Sequence, residues 1–422
     1  MPLPLSHALF RADAMASAGS YDVIIVGAGI VGAASAWRLL KQKPDSRVLI
    51  LEKEAAPARH QSGRNSGVLH AGVYYPAGSL KARMCREGLQ QTEAFCREHQ
   101  LPFSRCGKWI VATNAHQLRG LGELQQRAKA NGLNPEWLVR DAMREQEPEL
   151  RGEAALAVSE SAIVDYSAIC QALLDQAQAA GAELKTEAEV LGITESQRDI
   201  RVFTRAGEFT SSQLLCCAGL MADRLARLQG LDCPLHIVPF RGEFYQLAAR
   251  CESWVSRLIY PVPDPALPFL GVHLTPRVDG RLLAGPNAVL ALAREGYRWS
   301  DVEWRSLAEL IGFRGFWALV RRHHRAAVSE LHNSLSKRRY LQLLQAYYPS
   351  LTMDDLSPAP AGVRAQAVSP KGELLHDFAF LESRRSVHVM NAPSPAATSA
   401  LPIGRHLVER LLQHQPHKIG FS

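Results

Sequence analysis

Gly27-Ala-Gly29-Ile-Val-Gly32 places three glycines at the spacing that holds a pyrophosphate against a backbone turn. The first permits the tight turn, the second lets phosphate oxygens approach, and the third lets a helix pack closely. Glu52 stands twenty residues after Gly32, where an acid can accept ribose hydroxyls. Dinucleotide binding is the reading, with contacts expected from Gly27, Gly29, Ile30, Val31, Gly32, Glu52 and Lys53. The plainer alternative, a glycine-rich turn beside a surface glutamate, leaves the joint spacing unexplained. These residues leave NAD and FAD both open. No second GxGxxG follows a strand, which argues against a two-nucleotide reductase.

Such a turn works only between a strand and a helix whose N-terminal N–H groups face the phosphates. Tyr21-Asp-Val-Ile-Ile-Val26 is a β-rich apolar run, Ile30 to Leu40 reads as a helix, and Arg47-Val-Leu-Ile-Leu-Glu52 as a second strand. This βαβ order implies a right-handed crossover and a parallel sheet. Helical patterns follow at about 78–99, 115–130 and 167–180, and strands at 107–112, 188–193, 200–204 and 213–217. Antiparallel strands are expected between about 236 and 287 and helices over 300–350. A strand at 386–390, a Pro/Ser/Ala loop at 391–398 and a helix over about 399–413 close the chain.

The 422 residues exceed one ordinary core, so two domains with a cleft are expected. A hydrophobic share of 47% with 21% charged residues excludes disorder and fibrous repeats. The net charge of +7 favours anionic substrates or surfaces without choosing among them. The eight cysteines show no CxxC pair and no zinc-ligand spacing, so reduced, buried thiols and no metal are expected. The first 19 residues lack a basic stretch before their apolar part, so no secretory signal is expected. The longest uncharged run, Val23 to Trp37, is too short and too glycine-rich to span a bilayer.

The segment Ser62-Gly-Arg-Asn-Ser-Gly-Val-Leu-His-Ala-Gly-Val-Tyr-Tyr75 resembles the second flavin-binding stretch of the D-amino-acid-oxidase-like FAD superfamily. Pro239-Phe-Arg-Gly-Glu243, Pro268-Phe-Leu-Gly-Val-His-Leu-Thr275, Gly285-Pro-Asn-Ala288, Ala361-Gly-Val-Arg-Ala-Gln-Ala-Val-Ser-Pro370 and Asn391-Ala-Pro-Ser-Pro-Ala-Ala-Thr-Ser399 look like the L-2-hydroxyglutarate dehydrogenase/oxidase family. The similarity spans about residues 20 to 413. Arg64 departs from it, standing where His is expected.

The resemblance implies an α/β fold: a Rossmann-like FAD-binding domain with an inserted, mixed α+β substrate domain built on an antiparallel sheet. Segments 20–96, 160–235 and 355–415 would form the FAD-binding domain, 97–159 and 236–354 the substrate domain, and 1–19 an N-terminal extension. It implies noncovalent FAD, oxidation of L-2-hydroxyglutarate to 2-oxoglutarate, and electrons passed to a membrane quinone or to oxygen. A cytoplasmic protein peripheral to the inner membrane follows, with Leu310 to Arg325 as the contact because aromatics there adjoin Arg321, Arg322 and Arg325.

Further flavin contacts are implied at Ser62, Asn65, Ser66, Gly67, Val190, Ala218, Gly219, Gly362, Arg364, Ser394, Ala396, Ala397 and Thr398. Oxidising a 2-hydroxy acid needs a base, and the family-like blocks bring forward His70 and His273. Two carboxylates favour two guanidinium contacts, for which Arg241 and Arg364 are the preferred pair. Tyr75, Lys81 and Asn287 are secondary candidates. An amino-acid oxidase of the glycine, sarcosine or D-amino-acid type is the rival reading. A non-catalytic membrane- or nucleic-acid-binding module is the remote one, and no nucleic-acid partner is expected.

Overall fold

A computed structural model describes residues 20–264 and 270–413. The N-terminal extension expected over 1–19 lies outside the described residues. β1 (Tyr21–Val26), α1 (Ile30–Gln42) and β2 (Val48–Leu51) form the expected unit, with β1 parallel to β2 and to Gly207–Cys216. β1 is apolar throughout its length because both its faces are covered. Val23 and Ile25 pack towards α1, while Ile24 and Val26 join Leu49, Leu51, Val202 and Phe209 on the other side.

The parallel strands run in the order Ser386–Asn391, Gly207–Cys216, β1, β2, Glu183–Lys185. The first half of Gly207–Cys216 continues into an antiparallel meander with Ile200–Thr204 and Val190–Glu195. α1 lies against both Tyr166–Ala179 and Ala400–Gln413, which its small residues Ala33, Ala34 and Ala36 permit. At Gly404 the last helix comes so close that a Cβ would sit 2.8 Å from a backbone carbon of Ala34.

A second sheet is built around His236–Leu247, which pairs antiparallel with Leu282–Gly285, Val289–Leu290 and Leu356–Val368. The order then continues through His273–Pro276, Leu258–Pro261, Lys108–Ala112, Ala154–Val158 and Glu136–Val139. It departs from the expected antiparallel pattern once, since Leu258–Pro261 runs parallel to Lys108–Ala112. Leu356–Val368 belongs to this sheet, although the boundary drawn at 355 had grouped it with the nucleotide segments. Its Pro358 and Pro360 are tolerated because an edge strand need not donate on its outer side. The helices Trp304–Gly312, Arg314–Leu335 and Lys337–Gln345 follow.

Candidate active site

The glycine turn meets each steric demand differently. Gly27 has φ +102°, and a Cβ there would lie 2.5 Å from the Cys217 carbonyl oxygen. At Gly32 a Cβ would fall 2.0 Å from the Gly27 oxygen, so helix and turn interlock. Gly29, the residue before α1, has only Ser62 Oγ within 4 Å of such a Cβ, at 3.2 Å. The first N–H groups of a helix lack intrahelical acceptors. That of Ile30 donates to Ser62 Oγ at 2.9 Å, which ties the second expected stretch to the first. Glu52 is buried: its Oε2 accepts from Ala28 N–H at 2.8 Å and its Oε1 from Glu54 N–H at 3.0 Å. Each carboxylate oxygen keeps a second lone pair for a ribose hydroxyl.

These groups line a cleft of about 570 Å³, within the range of cofactor sites. Gly27, Gly29, Ile30, Val31, Glu52, Lys53, Ser62, Val190, Ala218, Gly219, Ala396 and Ala397 all border it. Glycine turn, helix N-terminus and buried acid at the strand end fit a dinucleotide. Lys53 borders the cleft but its ammonium is held by Glu295 and, at 3.2 Å, by Glu54. The same ammonium lies among Glu54, His60 and Glu295, whose ligand atoms would otherwise suit a cation. His60, Gln61 and Met390 also line the cleft and were not singled out from sequence.

Other expected contacts do structural work. Asn65 Nδ2 donates to the Gln61 and Ser62 carbonyls, and its Oδ1 accepts from Gly67 N–H at 2.8 Å. Gly67, at φ +74°, passes so close to Val164 that a Cβ would meet its carbonyl at 2.7 Å. Thr398 is buried, and its Oγ1 accepts from His70 N–H at 3.1 Å. Ser394 is hydrogen-bonded to Tyr75. No hydrogen bond of Ser66 is described. Gly362 packs on Arg64, whose oxygen would be 2.2 Å from a Cβ. The Arg64 guanidinium lies 3.9 Å over Tyr297, so the departure from His at this position braces the loop.

The second sheet is buried on both faces, and its polar side chains gather on one of them. Trp109, Val111, Ile259, Leu274 and Ala284 form a hydrophobic cluster on the other. Side chains alternate along strands, so Lys108, Tyr260 and His273 project from the opposite face. The His273 and Tyr260 rings stack at 3.8 Å. His273 Nδ1 is 2.9 Å from the Gly271 carbonyl, and burial lowers its imidazole to about 3. His70 Nδ1 is 3.4 Å from Lys108 Nζ, and burial holds this histidine well below the usual range. Arg364 is close enough to depress His273 further. Lys81 Nζ donates to the His376 carbonyl at 2.8 Å, and burial lowers it to about 8.

The structure does not assemble the expected Arg241–Arg364 pair. Phe240 opposes Arg364 and Arg241 opposes Val363, so the two arginines emerge from opposite faces. Arg241 is bound to Glu243 at 2.9 Å and stacks on Trp299. Asn287 is likewise engaged, accepting from Glu243 N–H and donating to Glu243 Oε2, both at 2.8 Å. Both residues are thus engaged with Glu243. Lys108, the first residue of an apolar strand, is a further buried cation beside His70. Its only sequence signal is a charge heading the run Lys108-Trp-Ile-Val-Ala112, every residue of which is buried.

A family model described as FAD dependent oxidoreductase (DAO) matches residues 22–410. The L-2-hydroxyglutarate dehydrogenase of Escherichia coli strain K12 is 47% identical over 392 residues, 93% of each chain. That of Salmonella houtenae is 48% identical over the same length, again 93% of each chain. Among solved structures, dithionite-reduced L-alpha-glycerophosphate oxidase of Mycoplasma pneumoniae with FAD bound superposes with TM-score 0.77. It shares 23% identity over 95% of this chain and 97% of that one.

Proposed function

Because the chain belongs to the FAD-dependent oxidoreductases and, within them, to the L-2-hydroxyglutarate dehydrogenase family, we propose that it oxidises L-2-hydroxyglutarate to 2-oxoglutarate. It is an FAD-dependent enzyme, and the flavin supplies the hydride acceptor. We take the flavin to be noncovalent. The parallel sheet would carry it through Gly27, Gly29, Ile30, Val31, Gly32, Glu52 and Ser62. The face of the second sheet would carry the substrate.

The observation that supports the reaction most is the environment of His273. A carbonyl oxygen only accepts, so Nδ1 beside Gly271 holds the ring proton and Nε2 keeps its lone pair. Burial keeps that imidazole neutral, as a base for the substrate hydroxyl must be. His273 Nε2 therefore takes the hydroxyl proton. His70, with Nδ1 turned to Lys108, offers Nε2–H as a donor that orients the substrate. Arg364 and Lys81 place positive charge where a dianion needs it, and Tyr75 closes the wall beside Lys81 at 5.2 Å.

Anaerobic visible spectra recorded separately with L-2-hydroxyglutarate, its D enantiomer, L-malate, L-lactate and glycine test this. Bleaching by the first alone is expected. Bleaching by glycine in its place would move the protein to the amino-acid oxidases. His273→Ala should keep the yellow colour and lose turnover.

For the acceptor we propose a quinone reached from the cytoplasmic membrane surface. No helix among the described residues is long and apolar enough to cross a membrane. Ile311 is 56% exposed and Trp317 55%; the Trp317 indole donates to the Ile311 carbonyl and shares its helix with Arg321, Arg322 and Arg325. Apolar tips beside cations suit an anionic interface. Flotation with anionic vesicles should fail after replacing the three arginines by serine, and undiminished binding would remove this surface.

A further inference from the structure

Lys108 is a lysine with almost no solvent, 2% exposed. Its ammonium lies 4.0 Å over the Tyr260 ring and 5.5 Å from that of Tyr74. Its described hydrogen-bond contact is His70 Nδ1, at 3.4 Å, which leaves two of three N–H donors unengaged. A buried cation without a counter-charge is costly. The anionic partners around it are latent at best. From the long helix Leu80–Glu98 comes Cys85, and from the loop just before Lys108 comes Cys106. Burial pushes the first thiol up to about 12 and raises the second, so both stay neutral. His70 and His273 are held neutral by burial, as are the flanking Tyr74 and Tyr260, and the cations beside those histidines, Lys81 and Arg364, have acids of their own in Asp377 and Glu330.

This arrangement is incomplete without an anion. We propose that Lys108 receives one carboxylate of the substrate and takes up a proton from the medium as it does so. The proposal rests on the dicarboxylate reading and adds to it the group that makes binding proton-linked. Burial lowers free Lys108 to about 7. A carboxylate at its Nζ favours the charged form and raises that value again. The sign follows directly. Below about pH 7 the amine is already protonated and binding takes up nothing. Above it, each bound dianion carries in a proton, and affinity falls about tenfold per pH unit until the bound-state value is reached. His70 and His273 are also neutral in the free site and burial lowers Lys81 to about 8, so the test must separate all three from Lys108.

Calorimetric titration of the FAD-loaded protein with 2-oxoglutarate, at about pH 8.5 in two buffers of different ionisation enthalpy, counts the proton directly. The product carries no hydroxyl proton, so chemistry adds nothing to the count. The wild type should take up close to one proton per ligand. Lys108→Met should abolish the uptake and weaken binding by on the order of 10- to 100-fold, the loss of a charged hydrogen bond. Lys108→Arg should bind with little dependence on pH, because a guanidinium does not titrate there. A structural lysine would show no such difference between methionine and arginine. Wild-type binding without proton uptake overturns the proposal, as does uptake that survives undiminished in Lys108→Met and so belongs to a histidine or to Lys81. A protein that ignores 2-oxoglutarate but binds glycine or lactate would refute the dicarboxylate reading instead. The same count with that ligand would still decide on Lys108.

Discussion

Gly29→Val separates the cofactor's demand on the glycine turn from that of the fold. At Gly29 the backbone has φ −77° and ψ 174°, an extended conformation any residue adopts. The one atom near a new Cβ is Ser62 Oγ at 3.2 Å, and a hydroxyl can turn aside. Losing glycine also lowers the entropy of the unfolded chain, worth about 0.4–1 kcal/mol in favour of folding. Flavin-free stability should therefore hardly change. The valine methyls would instead stand where the pyrophosphate must approach α1. Losing two charge-assisted N–H bonds at about 1.5–3 kcal/mol each weakens FAD binding by about 10²- to 10⁴-fold. Gly32→Ala behaves in the opposite way, because its Cβ would fall 2.0 Å from the Gly27 carbonyl oxygen and no side chain can yield. Overpacking of that kind costs about 1–3 kcal/mol or more, a fall in Tm of at least several degrees. Tm must be compared after flavin removal, since bound FAD raises it. The second readout is flavin stoichiometry at 450 nm in the protein as purified. FAD affinity of Gly29→Val within tenfold of wild type, or a Gly32→Ala protein as stable as wild type, would refute the assignment of roles.

Glu52→Gln should retain the turn through its remaining amide oxygen but weaken FAD about 10-fold or more, measured by fluorescence of released flavin. Asp223 is buried, which alone would raise its carboxyl, but bonds from Arg294 override this and hold it at about 2. Its stabilising effect is thus complete above the unfolded value of 3.8 and is lost as pH falls towards 2. Asp223→Asn leaves buried Arg294 with only the more distant Glu309, at 3.3 Å, as a charged partner in hydrogen-bond range and should cost about 3 kcal/mol in urea unfolding at neutral pH. In pH profiles of kcat/KM, the free enzyme should show no acid limb near about 6.5, because His273 titrates at about 3. A limb there that vanishes in His273→Asn would contradict the neutral-base argument.

Much of the nucleotide half is legible in the chain because its signals are local. Glycine spacing, an apolar strand and a following acid all lie within Tyr21 to Glu52, and parallel strands carry unbroken apolar runs. The helices Ala115–Ala130 and Ala400–Gln413 are recognisable for the same reason, from periodicity alone. Leu356–Val368 defeats that approach. Two prolines argue against a strand, and its position at a sheet edge, with Pro360 in a break of register, makes them harmless. Short strands such as Ala162–Val164 and Val68–Leu69 are too brief to show a period, and they exist because they pair with each other.

The substrate side is less legible because its chemistry is a matter of register. Whether a residue on Lys108–Ala112 faces the apolar cluster of Trp109 or the side of Tyr260 and His273 depends on its alignment with Leu258–Pro261, far along the chain. A one-residue slip exchanges Lys108 for Trp109 and would bury the indole in the site. The same rule divides Arg241 from Arg364. Both sit in strands and both look suited to a carboxylate, yet the pairing of Phe240 with Arg364 sends them to opposite faces. Nothing local distinguishes them. In the folded chain Arg241 engages Glu243 two residues away, while Arg364 is buried with Glu330 and Tyr260 as its neighbours. Arg241→Ala should accordingly act through the stability of the sheet and leave KM for the hydroxy acid nearly unchanged, whereas Arg364→Ala should raise KM steeply. The reverse pattern would mean that the register-based division of the two faces does not describe where the substrate binds.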